Sequence, residues 1–142
     1  DILGANASWA YQIAKIEKGL QEPVLSVGNL EATRNFTDVI DLVKAYKLAM
    51  EKGVSDELYL IGSQNIYTMK ECLLKLISLS TESEKISYKV VDELVRPTEL
   101  KTFIADFSKF TELTGWKPII SFEDTMQSVL DYWRSFIDKG HY

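Results

Sequence analysis

Two arginines stand where a small anion could be gripped. Arg34 lies in G-N-L-E-A-T-R-N-F-T-D-V-I-D (28–41), directly after the apolar run Val24–Val27 and before a helical pattern. Gly28 and Asn29 read as a tight turn, which leaves Arg34 aimed across a strand end, on a segment too short and too polar to be a core strand. Such strand ends are frequent phosphate sites in α/β proteins. Taken alone, Arg34 also fits an ordinary surface charge. A second stretch, Arg96-Pro97-Thr98-Glu99, supplies the second arginine. Different chemistry is suggested by Tyr11-Gln12-Ile13-Ala14-Lys15, whose Y-x-x-x-K spacing sets a lysine one helical turn from a tyrosine. The same spacing arises on any amphipathic helix face. The remaining candidates fall away: His141 sits in the C-terminal tail, no Ser/His/Asp set can be drawn, and the seven glycines are scattered without a phosphate-loop pattern.

The bulk properties narrow the class. A chain of 142 residues can bury the core of one domain, and 46% hydrophobic with 26% charged residues reads as soluble and globular. A net charge of −5 argues against a nucleic-acid surface but leaves room for a local arginine pair. No apolar run reaches membrane-spanning length and no signal peptide precedes the first helix. The lone Cys72 excludes a disulfide framework or zinc cluster, so a reducing, cytoplasmic setting is expected. The chain starts at Asp1 and not at Met, and it reads as a piece of something longer.

The elements that must position these residues follow from caps and periodicity. Ser8 is expected to cap a first helix to about Lys18, stopped by Gly19, with Ile13, Ile16 and Leu20 on one face. Val24–Val27 reads as a strand. A helix from about Asp38 to Lys52 carries Val39, Val43, Tyr46 and Met50 along one stripe and ends at Gly53. Glu57–Ile61 reads as a buried strand, and Thr68-Met69-Lys70-Glu71 is a capping box opening a helix to about Leu79. Further strands are expected at Ile86–Val91 and Thr102–Ala105. A short helix, Ser108–Thr114, stops at Gly115, and a last helix opens at Ser121 and carries Val129, Tyr132, Trp133 and Phe136. With no repeat or linker, this is one α/β domain spanning 1–142.

Three stretches carry a resemblance: 28–41 above, R-P-T-E (96–99) and T-G-W-K-P-I-I-S-F-E-D-T (114–125). Together they resemble the C-terminal half of extended short-chain dehydrogenases acting on nucleotide sugars. The GDP-mannose 4,6-dehydratases and the GDP-4-keto-6-deoxymannose reductases are the nearest in pattern. The resemblance runs from about Ile13 to Arg134. It implies the C-terminal substrate-binding part of such an enzyme, a small mixed sheet with helices, with the N-terminal Rossmann half outside this chain. It implies that Arg34 and Arg96 contact the sugar-nucleotide pyrophosphate and that Glu99 accepts from the ribose hydroxyls. More loosely, Leu25 and Val27 flank the base, and Trp9 lies near the phosphates. Guanidinium forks suit phosphate oxygens, and Pro97 stiffens the turn that holds Arg96 and Glu99. In the family the catalytic Y-x-x-x-K lies far upstream of the G-N-L segment, so Tyr11 and Lys15 are decoys.

Asn35 departs from the family's aspartate at that position and is expected to loosen the orientation of Arg34. The implied parent uses NAD(P) and GDP-mannose, with no nucleic-acid or membrane partner; the chain itself is expected to bind no NAD(P), to be inactive and to self-associate. Alternatives are the reductase, which the T-G-W-K-P…L-D-Y-W-R ending favours, or a stand-alone binding module without catalysis.

Overall fold

The computed structural model describes residues 4–95 and 104–142. Its elements are α1 (Ala5–Glu17), β1 (Val24–Val27), β2 (Thr33–Asn35), α2 (Val39–Lys52), β3 (Ile66–Thr68), α3 (Met69–Ser78), β4 (Ser87–Val90), α4 (Ser108–Thr114) and α5 (Phe122–Asp138). They form a mixed α/β fold of small sheets and helices, in two compact units. One unit comprises Asp1–Ala32, Thr68–Leu100 and Glu123–Tyr142; the other comprises Thr33–Tyr67 and Lys101–Phe122.

In the first unit, α1 buries Trp9, Ala10, Ile13, Ala14 and Ile16. Its cap is Gly4, without a side-chain hydrogen bond. The expected cap, Ser8, lies a turn inside, with its N–H on the Gly4 carbonyl at 2.9 Å, because Ala5, Asn6 and Ala7 continue the helix backwards. Gly19 does terminate the helix region, at φ 69°, and Leu20 beyond it is exposed. Strand β1 pairs in parallel with β4, Val24 opposite Ser87 and Val27 opposite Val90. The other edge of β1 is closed by one side chain: the Gln12 amide accepts from Ser26 N–H at 2.9 Å and donates to Ser26 C=O at 3.1 Å. That amide substitutes for a neighbouring strand. Strand β4 is shorter than expected and exposed along its length.

The capping box on α3 forms as read: Thr68 Oγ1 accepts from Glu71 N–H at 3.1 Å, and Glu71 Oε2 accepts from Thr68 N–H at 2.7 Å. Cys72, Leu73 and Leu76 then face the core. Helix α5 buries Met126, Leu130 and Ile137, a seam beside the expected aromatic stripe, of which Tyr132 is exposed. A carboxylate ties three elements together here. Glu17 accepts from Arg134 Nε and Nη2 at 2.8 Å each, from Ser80 Oγ at 2.8 Å and from Thr81 N–H at 3.1 Å.

The second unit packs Ala45, Phe110 and Trp116, with Leu48, Ala49, Tyr59, Ile61 and Phe107 against them. Gly115, at φ 74°, ends α4 as expected. The α2 stripe of Val39, Val43, Tyr46 and Met50 is exposed, Met50 at 89%. The buried side of that helix is instead Asp41 and Ala45. Two expected strands are corrected. Glu57–Ile61 keeps an alternation, Tyr59 and Ile61 inward and Leu58 and Leu60 outward, but among the described residues it has no ladder and is not a strand. Of Thr102–Ala105, Ile104 and Ala105 are not in a strand, and the rest lies outside the described residues.

Candidate functional site

The turn after β1 is closed by backbone, not by a ligand space. A Cβ on Gly28 would lie 2.3 Å from the Leu94 carbonyl oxygen, so only glycine lets the two backbones approach. Asn29 Oδ1 accepts from Glu31 N–H at 2.9 Å, an Asx turn that redirects the chain. Leu30 C=O and Ala32 C=O then accept from Lys70 and Met69 N–H at 3.0 and 2.8 Å. Local turn chemistry thereby delivers the chain into β2.

Arg34 is the middle residue of β2, half-buried. Its Nη1 donates to Thr33 C=O at 2.8 Å. Among the described residues no carboxylate lies within salt-bridge distance of it and no other hydrogen bond engages it. A guanidinium has five donors, so most of this fork is uncommitted. Arg134 is the contrast, its donors spent on Glu17, Asp131 and the Leu79 carbonyl.

Asn35 has partners of its own. Successive strand side chains point to opposite faces. Asn35 turns to Ser63, its Nδ2 donating to Ser63 C=O at 2.7 Å and its Oδ1 accepting from Ser63 Oγ at 3.1 Å. Both ends of its amide are therefore engaged by Ser63.

The other expected site residues are placed as follows. Leu25 and Val27 are fully buried, and Trp9, in the second turn of α1, is 3% exposed. All three side chains are core. Arg96 and Glu99 lie outside the described residues. Tyr11 and Lys15 are used in packing: the Tyr11 ring sits edge-on to Trp133 at 5.3 Å, with Lys15 Nζ 5.3 Å from its centroid. His141 is exposed and its ring lies against Phe136 at 4.8 Å. Burial, aided by the Glu71 charge, pushes the Cys72 thiol up to about 12, so it is no nucleophile at neutral pH. Among the described residues no group of three or more metal-ligating side chains is present. No described helix is long and apolar enough to cross a membrane.

Sequence reasoning assigned no role to Asp41, although it closes the 28–41 stretch. It is 1% exposed and accepts from Ile119 and Ile120 N–H at 3.0 and 2.9 Å, while its own carbonyl accepts from Trp116 Nε1 at 3.0 Å. The T-G-W-K-P-I-I stretch is therefore anchored on α2. An open groove of about 500 Å³ lies in the same unit, lined in part by Gln64, Asp106, Phe107 and Glu112. The Ser108 N–H holds the Asp106 carboxyl below its usual range, so this lining is anionic and the wrong sign for a phosphate.

Comparison with known proteins agrees with this architecture. The family model described as GDP-mannose 4,6 dehydratase matches residues 7–129. The chain is 29% identical over 131 residues to the GDP-6-deoxy-D-mannose reductase of Pseudomonas aeruginosa, covering 91% of this chain and 42% of the reductase. It is 29% identical over 119 residues to GDP-mannose 4,6 dehydratase 1 of Arabidopsis thaliana, covering 84% of this chain and 32% of that enzyme. The structure of RMD from P. aeruginosa, solved with NADPH, superposes with a TM-score of 0.80 at 27% identity, over 93% of this chain and 43% of that one. The chain thus spans less than half the length of these relatives. It belongs to the GDP-mannose 4,6-dehydratase family of extended short-chain dehydrogenases and corresponds to their C-terminal part.

Proposed function

We propose that this chain, over 1–142, is the nucleotide-sugar-binding portion of an NAD(P)-dependent enzyme of the GDP-mannose 4,6-dehydratase type. Arg34 and Arg96 bind the pyrophosphate, and Glu99 accepts from the ribose hydroxyls. Leu25, Val27 and Trp9 contribute by holding the strand and helix that flank the ligand, since their side chains are buried. The observation that carries the reading is Arg34 itself: half-buried, on a strand, and without a carboxylate partner among the described residues. A cation that is partly desolvated and unpaired is costly to keep, and a diphosphate would pair it.

In a parent of this type, NAD(P) would supply the hydride chemistry on the hexose. The residues of this chain do not fit the dinucleotide. Backbone amides at a glycine-rich turn normally hold its pyrophosphate, and among the described residues the one strand-end glycine turn, at Gly28, has the Leu94 backbone against it. The cofactor therefore falls to a part of the parent beyond this chain. A second reading, the reductase, is favoured by the broader match to the P. aeruginosa reductase, 91% of this chain against 84% for the plant dehydratase.

Titration of the full-length enzyme with GDP-mannose tests the clamp. Arg34→Ala and Arg96→Ala should each weaken binding roughly 10- to 150-fold, the equivalent of about 1.5–3 kcal/mol for hydrogen bonds to a charged group. Lysine at either position should recover only part, because it keeps the charge and loses the fork. Changes under about threefold in both alanine variants would remove the pyrophosphate assignment.

A further inference from the structure

We infer that Asn35 and Ser63 are positioning residues for Arg34, an inference that rests on the proposed diphosphate role of that arginine. Strand β2 is only 3 residues long, too short to orient a long side chain by itself. The chain immediately after Arg34 is held at several points. Asn35 Nδ2 donates to Ser63 C=O at 2.7 Å, and Ser63 Oγ donates to Asn35 Oδ1 at 3.1 Å. Ser63, 1% exposed, shares its one hydroxyl proton between Asn35 Oδ1 and the Phe36 carbonyl and accepts from Asn65 N–H at 3.1 Å. Phe36 N–H completes the set by donating to Asn65 C=O at 2.8 Å. Because residues 34 and 35 project to opposite faces, fixing Asn35 fixes the peptide planes that aim the Arg34 side chain the other way.

The chemistry demands an amide. Ser63 C=O can only accept, so its partner must donate, and an aspartate at 35 would set a carboxylate against that carbonyl oxygen. Asn35 is thus matched to its surroundings in this chain. It orders Arg34 before a ligand arrives, so less entropy is lost on binding.

The test is calorimetric titration of the full-length enzyme with GDP, for four forms: wild type, Asn35→Asp, Arg34→Ala and the double variant. Asn35→Asp should weaken binding about five- to tenfold, the loss of about one hydrogen bond's ordering effect. That penalty should vanish in the Arg34→Ala background, since an effect transmitted through Arg34 cannot outlast it. Ser63→Ala, which keeps the carbonyl and removes the hydroxyl, should give about a two- to threefold loss with the same dependence on Arg34, and it carries the test should Asn35→Asp fail to fold. If Arg34→Ala weakens GDP binding tenfold or more but the Asn35 and Ser63 variants stay within twofold, or keep their penalty in the Arg34→Ala background, the positioning role is wrong and the diphosphate reading stands. If the wild type does not bind GDP, or Arg34→Ala binds it equally well, both are overturned.

Discussion

Replacing Glu17 by glutamine removes one charge from the densest polar contact in the described structure and leaves its shape. The Glu17 side chain is 10% exposed and the Arg134 side chain 25%. Two guanidinium bonds at 2.8 Å, one hydroxyl bond at 2.8 Å and one backbone bond at 3.1 Å converge on this carboxylate. Breaking a buried ion pair from one side costs about 3–5 kcal/mol. Here Arg134 keeps Asp131 at 2.9 Å and some solvent, so the expected loss is about 2–3 kcal/mol. For a chain of this size that is roughly 6–10 °C in Tm. The pH dependence has a definite sign. Burial alone would raise the Glu17 pKa, but hydrogen bonds from Arg134, Ser80 and Thr81 outweigh it and hold the pKa below its ordinary 4.5. At acid pH the unfolded chain therefore binds the proton more readily. The pair's contribution is complete above the ordinary value and is lost as pH falls through the folded one. Urea unfolding of wild type and Glu17→Gln from pH 7 to pH 3 measures this. The gap should be constant down to about pH 5 and then close. A gap below about 0.5 kcal/mol at pH 7, or one that persists undiminished at pH 3, refutes the reasoning.

Gly28→Ala should destabilise the chain by about 2 kcal/mol, because its Cβ would meet the Leu94 carbonyl oxygen at 2.3 Å and backbone must move; a melting curve equal to wild type would contradict that contact. Titration with NADP should yield no site on this chain, and one site per chain at low-micromolar affinity would overturn the assignment of the cofactor to another part of the parent. The exposed Val39, Val43, Tyr46 and Met50 stripe, with Leu58 at 77% exposure in a segment that has no ladder among the described residues, should drive self-association. A clean monomer by light scattering at high concentration, without binding of an apolar dye, would count against this.

What the sequence determined by itself is local. The Thr68–Glu71 box, the Gly53 and Gly115 stops and the Asn29 turn each involve partners within a few residues, so residue type and spacing suffice to read them. The three family stretches were legible for a related reason, since residue identity and order survive without coordinates. Tertiary structure decided the rest, because it depends on what comes alongside. Apolar period alone does not say which stripe of a helix meets a core. On α2 the inward side proved to be Asp41 and Ala45, since Asp41 is occupied by the Ile119 and Ile120 amides. A strand likewise exists only with a ladder partner, which Glu57–Ile61 lacks among the described residues. The Asn35–Ser63 contact spans 28 positions and the Glu17–Arg134 contact 117. Separations of that size leave no periodicity in the chain, so only the folded arrangement could reveal which amide aims Arg34 and which carboxylate occupies Arg134.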